Sequence, residues 1–431
     1  MRGTYRDRRE LGVSWGCFLP APANSERISP SFQKKCWGHQ GVPWDVGACD
    51  RPVEGLGVVS VSKLEIQMKR TWVALAVAGA FAAGAAQAQS SVTLYGIVDV
   101  NYMWQDTDAG SFSAINSGHQ SGSRWGMRGS EELGGNMKGI FTLEGGYSPD
   151  TGTLGQGGRL FGRQAWAGLD TSLGTVVLGR VALLSSGTGS FDMMGRLDPF
   201  LTGFGLAGAG NTFYSLNAVR VDNAVLYKSP KFAGFQVGAS YSLNINGNES
   251  VNSSNNLDAF GFAGTWELGP FWVGVSYDTF DNPIGGSDQK HLQVGGTFDL
   301  GPIRLNAGYG NMSNIGAVPN APSGGLGSFA VLPAGARPFD SNAYLLGGSW
   351  KIGAFSVIAS WQMANGDSQN YNCASGTCNF DPDYDIWSLG GTWNLSRRTN
   401  LYASYAQRNA DGSLPISFDL KQFAFGVRHL F

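Results

Sequence analysis

The chain has 431 residues, with 64 Gly, 25 Phe, 13 Trp and 14 Tyr, only 14% charged residues and a mean hydropathy of -0.11. It is aromatic-rich without being hydrophobic overall, which excludes a helical bundle, and apart from one N-terminal stretch no apolar run nears the ~20 residues that cross a bilayer as a helix. Of its 30 Lys+Arg and 32 Asp+Glu, the first 88 residues hold 11 and 7, leaving 19 and 25 and a net of -6 for the remainder, an acidic balance that argues against a nucleic-acid partner.

Residues 1–67 show neither helical nor strand periodicity and carry Cys17, Cys36 and Cys49 among Pro, Gly and Arg. They precede a complete export signal, so the expected start is Met68, with residues 1–67 a spurious or unstructured extension. Met68-Lys69-Arg70 supplies the positive n-region, Thr71 to Ala86 the apolar core, and Ala86-Gln87-Ala88 the small-x-small site of a signal peptide over 68–88. Cleavage is expected between Ala88 and Gln89. A transmembrane anchor is the competing reading, disfavoured by a short core rich in small residues and no positive flank after it.

From Gln89 onward the pattern alternates with a period of two. In Ser91 to Trp104, Val92, Leu94, Val98, Val100 and Tyr102 share one face while Thr93, Tyr95, Asp99 and Asn101 share the other. Further strands are expected at Ser121 to Leu133, Met137 to Tyr147, Leu160 to Asp170 and Thr175 to Ala182. After about forty residues come Asp222 to Ser229, Phe235 to Asn244, Asp258 to Leu268, Phe271 to Phe280, Gln289 to Leu300 and Ile303 to Met312. Ser341 to Ile352, Phe355 to Asn365, Tyr384 to Leu395, Leu401 to Asn409 and Phe418 to Phe431 complete the set. Gly269-Pro270, Gly301-Pro302 and Gly353-Ala354 are tight turns, and the alternate connections are long and polar.

About sixteen antiparallel strands with short turns on one side and long loops on the other predict an all-β transmembrane barrel, closed because an open edge in lipid leaves backbone groups unpaired. Residues 89–431 allow roughly ten residues per strand, matching the ~9–11 of a tilted membrane strand. A barrel of that size encloses water. The competing reading, a secreted β-sandwich or propeller, needs a dry core, yet Gly, Ser, Asn and Gln dominate the second face. Tyr95, Trp104, Trp125, Tyr147, Trp166, Tyr227, Trp266, Trp272, Tyr277, Trp350, Trp361, Trp387, Trp393 and Tyr405 are expected mainly at strand ends or outward, as girdles at the membrane interfaces.

Gln89-Ser90-Ser91-Val92-Thr93-Leu94-Tyr95-Gly96-Ile97-Val98-Asp99, the block Arg163-Gln164-Ala165-Trp166-Ala167-Gly168-Leu169 with Gly174-Thr175-Val176-Val177-Leu178-Gly179-Arg180, and the terminal Phe431 closely resemble the Gram-negative general porins, β-proteobacterial branch. The resemblance covers essentially all of 89–431. It implies a 16-stranded homotrimer that passes small hydrophilic solutes and ions passively. It also implies contact with outer-membrane lipid and lipopolysaccharide, and an assembly machinery that reads the C-terminal strand ending at Phe431. A long third external loop would fold into the lumen opposite basic residues of the wall. Leu183 to Val221 occupies that position, with Asp192, Arg196 and Asp198 as its charges. The Pro-Glu-Phe-Gly-Gly form of enterobacterial relatives is absent, and Asp198-Pro199-Phe200 stands in its neighbourhood.

Parity places Arg124 and Arg128 on one face with Gly126, opposite Trp125 and Met127, pointing into water. Arg163 shares parity with Ala165 and Ala167, against outward Gln164 and Trp166, and Arg220 leads into the sixth strand. The resemblance assigns Arg124, Arg163 and Arg220 to the constriction, with Arg128 and Lys228 close by and Asp192 and Asp198 on the loop. Such a throat concentrates anions. The blander alternative pairs the arginines with Asp99, Glu131 and Glu144, and Arg180 could serve a subunit interface.

Cys373 and Cys378 lie in one polar connection on an oxidising export route, so a local disulfide is expected. His119, His291 and His429 sit in unrelated elements with no catalytic or metal-ligand spacing, no glycine-rich phosphate loop occurs, and no cofactor is expected. The leading function is an anion-leaning general diffusion porin. A substrate-specific outer-membrane channel and an outer-membrane barrel enzyme are the alternatives.

Overall fold

The computed structural model describes residues 91–107, 110–209, 220–245, 247, 256–281, 286–315, 337–373, 376–380, 382–410 and 419–431. The extension, the signal peptide and the Ala88–Gln89 cleavage site lie outside them. Sixteen wall strands follow one another as antiparallel neighbours and close into a barrel. They are β1 (Ser91–Thr107), β2 (Arg124–Gly134), β3 (Met137–Ser148), β4 (Gln164–Thr171), β5 (Gly174–Ala182) and β6 (Arg220–Lys228). Next come β7 (Phe235–Ser242), β8 (Ala259–Leu268), β9 (Phe271–Phe280), β10 (Gln289–Leu300) and β11 (Ile303–Ile315). Last are β12 (Phe339–Ile352), β13 (Phe355–Gly366), β14 (Tyr384–Asn394), β15 (Thr399–Ala410) and β16 (Leu420–Leu430).

Closure runs from Ile97↔Leu430 to Thr107↔Leu420 between β1 and β16, and the Phe431 amide and carbonyl continue the ladder by bonding to Gly96. One wall segment was not foreseen. Gly110–Ser117 pairs with the upper half of β1, while β2 pairs with Ser91–Ile97, so the two share one side of β1 across a break near Gly118. Its eight residues include Gly, Asn and three Ser, too little apolar alternation to read as a strand. A two-stranded hairpin, Gln369–Cys373 with Gly376–Phe380, stands on a long connection. Its register faces Cys378 with Tyr371 and Cys373 with Gly376. The side chains of the expected disulfide lie outside the described residues.

Side-chain direction is the inverse of a soluble sheet. On β9, Val273, Val275 and Tyr277 are exposed on the outside, while Trp272, Ser276 and Asp278 are buried toward the lumen. On β16, Phe423, Phe425 and Val427 point out and Gln422 and Ala424 point in. An outer apolar band over a polar interior is stable only when hydrocarbon replaces water outside. No helix among the described residues is long and apolar enough to cross a membrane. Val275→Lys is therefore expected to lower the unfolding free energy in vesicles by about 2–4 kcal/mol, the cost of a lysine at the bilayer midplane. Val275→Leu should stay within about 0.5 kcal/mol; urea titration of the reconstituted barrel checks both.

The girdle is present as stacked outward pairs, Phe355–Trp393 at 5.3 Å and Phe235–Trp266 at 5.7 Å, near the short turns. Three expected members face inward instead. Tyr95 donates its hydroxyl to Glu144, Trp166 packs on Phe191 with ring centres 5.0 Å apart, and Trp272 lies beneath Arg196. The buried apolar residues gather where the long connection after β5 lies against the inner wall.

Candidate functional site

That connection is described over 183–209, and its sequence explains its seat. Met193, Met194, Leu197, Phe200, Phe204 and Leu206 are buried, a density of large apolar groups that water in a lumen would not hold in place. They lodge where the wall lacks side chains: Leu197 over Gly295 of β10, Pro199 over Gly347 of β12 and Phe200 over Gly390 of β14, each so close that a Cβ on the glycine would collide with it. Wall side chains then satisfy the loop's backbone. Asn306 donates to the carbonyls of Arg196 and Leu197 at 3.1 and 2.8 Å, Gln362 to Ala207 at 2.9 Å, and Gln422 accepts from the Leu206 amide at 2.8 Å. The Phe204 amide bonds to the His119 carbonyl, so the connection after β1 clasps the loop's far end. Burial there pushes the His119 ring down to about 4.

Arg196 is the loop's charged anchor. It donates to Glu267 at 2.6 Å, Asp299 at 2.7 Å and the Thr297 hydroxyl at 3.1 Å, across β8 and β10. Arg304 and Lys231 hold the same two carboxylates from the other side.

The two loop acids do not face the pore, contrary to the expectation for Asp192 and Asp198. Asp192 accepts from the amides of Gly187, Met194 and Gly195, and Asp198, 0% exposed, from Phe200, Thr202 and Ala209. Each is folded into the loop as the side-chain acceptor for the amides of a turn. Burial pushes both carboxyls up to about 6. The folded chain thus binds these protons more tightly than the unfolded chain, so their contribution to stability is complete below about pH 4 and is lost as pH rises through about 6. The melting temperature of the reconstituted barrel should rise from about pH 7 to about pH 5, and Asp198→Asn, which keeps an acceptor oxygen, should flatten that rise.

The basic wall lies on β2, β3 and their neighbours. Register faces Gly126 with Glu144 and Arg124 with Gly146, which fixes Arg124, Gly126, Arg128 and Glu144 on the lumen face. Arg163 donates from Nε to Glu144 Oε1 at 2.7 Å, Arg124 lies 3.9 Å from the same oxygen, and Tyr95 donates to Oε2 at 2.9 Å. Arg124 and Arg163 converge over Gly122, where a side chain would meet Arg163 at 3.1 Å and Arg124 at 3.9 Å. Arg220 stands half-buried near them, its buried Nε unpartnered and another guanidinium nitrogen 3.4 Å from the Thr188 hydroxyl. Arg163 and Arg124 thus share one carboxylate, and Arg220 adds a third guanidinium group with no ion pair of its own among the described residues. The blander alternative is met at Glu144, which pairs with Arg163 and Arg124, but not at Asp99, which is held by Tyr402 and the Ser121 amide, nor at the exposed Glu131.

Several positions differ from the parity reading. Register faces Glu144 with Gln164 and Thr142 with Trp166, so Gln164 and Trp166 point inward and Ala165 and Ala167 outward. Arg163 still reaches the lumen because it precedes β4, where its amide bonds to the Glu144 carbonyl and the alternation does not apply. Arg128 is on the inner face as expected, exposed and over the Tyr95 ring at 5.2 Å. Lys228 bonds to the carbonyls of Phe191 and Asp192 at 3.5 Å, so it tethers the loop. Arg180 is not free for a subunit contact: it pairs with Asp222 at 2.6 Å, which also binds Arg159 at 2.7 Å. A bulge at Gly179, whose φ of 133° only glycine adopts readily, turns it there.

Arg428 was missed. It lies on the inner face of β16, bonded to Ser121 at 2.9 Å and Asn400 at 3.1 Å, and its parity with Gln422 and Ala424 was the available signal. The histidines are not brought together: His119 bonds to Ser404 at 2.8 Å, His291 is buried on β10, and His429 faces out beside Thr399.

With this geometry in view, comparison with known proteins gives one answer. The family described as Gram-negative porin matches residues 74–413. An outer membrane porin protein of Bordetella pertussis is 36% identical over 407 residues, covering 84% of this chain and all of that protein. Outer membrane porin protein 32 of Delftia acidovorans is 30% identical over 355 residues, covering 80% of this chain and 91% of that protein. Among solved structures, the anion-selective porin from Comamonas acidovorans superposes with a TM-score of 0.62 at 25% identity, over 80% of this chain and all of that one.

Proposed function

The chain belongs to the Gram-negative porins and is a general diffusion porin of the outer membrane, and from that premise we propose that its pore favours anions. The observation that carries the reading is the count of charges at the throat. Arg124 and Arg163 meet at Glu144 and Arg220 stands near them with no ion pair among the described residues, while Asp192 and Asp198, the acids that would oppose them from the loop, are turned into the loop's own backbone. A narrow aqueous path between low-dielectric walls makes that local excess felt by every passing ion, whatever the barrel's overall balance. Its reach is a Debye length, ~10 Å at ~0.1 M salt, so the preference weakens as salt rises. The Comamonas porin, described as anion-selective, supports the same direction.

Passive solute passage and no hydrolytic chemistry belong to this reading. The His119–Ser404 contact joins an imidazole to a hydroxyl, but Asp99 is bonded to Tyr402 and not to that ring. Assembly as a homotrimer, contact with lipopolysaccharide, export by a signal peptide cut after Ala88, recognition of the strand ending at Phe431 by the assembly machinery, and a Cys373–Cys378 disulfide are further parts of the proposal.

Liposome swelling with anionic and cationic solutes of matched size, run beside a lipid hydrolysis assay, tests it. Faster entry of the anions without hydrolysis is expected, and equal entry or measurable hydrolysis would overturn it. Conductance steps in groups of three test the trimer.

A further inference from the structure

The lipid-facing wall carries a groove near the short turns. Gly391 of β14 and Ala403 of β15 are direct cross-strand partners on the outer face, and the gap they leave is a groove of about 590 Å³ walled by Val357, Leu389, Leu401 and Tyr405. The Phe355–Trp393 stack bounds it toward the short turns, and Trp387 with Tyr405, ring centres 5.1 Å apart, toward the long loops. Leu401 to Tyr405 spans roughly 14 Å of strand, a reach that suits most of an acyl chain.

Similar apolar grooves lie between β9 and β13, so shape alone does not single this one out. Charge at its mouth does. The turn that joins β14 to β15, Leu395-Ser396-Arg397-Arg398, is exposed, and neither guanidinium has an ion-pair partner among the described residues. The neighbouring turns Gly269-Pro270, Gly301-Pro302 and Gly353-Ala354 carry no charge. Lys138 and Lys231, at the same end of the barrel, are each paired with a glutamate, and Lys351, which has no ion pair among the described residues, alternates with the outward Trp350 and Ile352 and so stands on the opposite face of β12 from the lipid-facing grooves. An apolar groove that ends at the strand termini of a turn carrying two guanidinium groups without ion pairs has the polarity of one molecule: a hydrocarbon tail with an anionic head. Short turns face the periplasm in outer-membrane barrels, which sets the leaflet.

We propose that this groove seats an acyl chain of an anionic phospholipid of the periplasmic leaflet, with its phosphate held by Arg397 and Arg398. The forked guanidinium donors match phosphate oxygens in two-point contact, which ammonium groups do not. The site lies outside the lumen, so it acts on how the barrel holds its surrounding lipid and not on ion preference.

Native mass spectrometry of the full-length mature protein, exchanged between phosphatidylglycerol and phosphatidylcholine, tests it. The wild-type protein should retain phosphatidylglycerol preferentially. In Arg397→Ser/Arg398→Ser that preference should fall roughly tenfold to thirtyfold. Ala403→Leu, which fills the groove with a side chain the membrane tolerates, should weaken retention of both lipids. Heat-modified electrophoretic mobility shows that each variant is folded, and the reversal potential, unchanged in all of them, keeps this test separate from the anion proposal. Equal retention of the two lipids by the wild-type protein would overturn the proposal. So would full retention by Ala403→Leu, or displacement of the lipid by inorganic phosphate alone.

Discussion

Replacing Arg124 and Arg163 together by serine is expected to lower the anion-to-cation permeability ratio about tenfold and to move the reversal potential under a salt gradient toward the cation side. The charge count explains the size. Three guanidinium groups and Glu144 leave the throat at an excess of two positive charges, and the double substitution leaves Arg220 and Glu144 in balance. An ion about 5 Å from a single charge feels roughly 0.8 kcal/mol at the dielectric of water, with opposite sign for anion and cation, so two charges shift the ratio by a few hundredfold before salt and greater distances along the path reduce it toward about ten. Once the local excess is gone, the acidic balance of the barrel governs. Glu144→Gln should act in the other direction, raising the anion preference while keeping one acceptor oxygen for Arg163 and turning its amide NH2 toward the Tyr95 hydroxyl, which can accept. A double variant whose reversal potential stays at the wild-type value would remove these residues from the path of ions.

Reversing Arg196 to glutamate is expected to free the middle of the long loop from the wall. It would set a third carboxylate against Glu267 and Asp299 where a guanidinium now bridges them at 2.6 and 2.7 Å. After allowance for solvent at this part-exposed site, the local cost is about 2 kcal/mol. Amide exchange over residues 194–200 should then accelerate about thirtyfold, and single-channel current should acquire partial closures as the loop enters the open path. Adding Glu267→Arg should restore quiet current. Steady current and unchanged exchange in the single variant would mean that Leu197, Pro199 and Phe200 hold the loop without the ion pairs.

What the sequence could and could not disclose divides along one physical line. Alternation reports a side chain's face only where the backbone is a regular strand. It therefore placed Val98 opposite Asp99, Arg124 and Arg128 inward, and the strand count in agreement with the barrel. It failed at breaks in regularity. The bulge at Gly179 re-aims Arg180, and the register between β3 and β4, which no single strand contains, decides that Trp166 points inward. The loop acids failed for a different reason. A carboxylate that caps its own backbone and one that faces a pore look alike in sequence, and only the amides of Gly187, Gly195 and Ala209 closing on Asp192 and Asp198 tell them apart. Arg196 was read as one of the loop's charges, yet its anchoring role depends on partners 71 and 103 residues away.

The zero-current potential of refolded residues 89–431 in a planar bilayer under a KCl gradient tests the charge excess at the throat most directly. Chloride should outrun potassium, and the imbalance should grow as total salt is lowered from ~1 M toward ~0.1 M and the Debye length lengthens. A potential of zero, or one of potassium sign at ~0.1 M, would contradict the account.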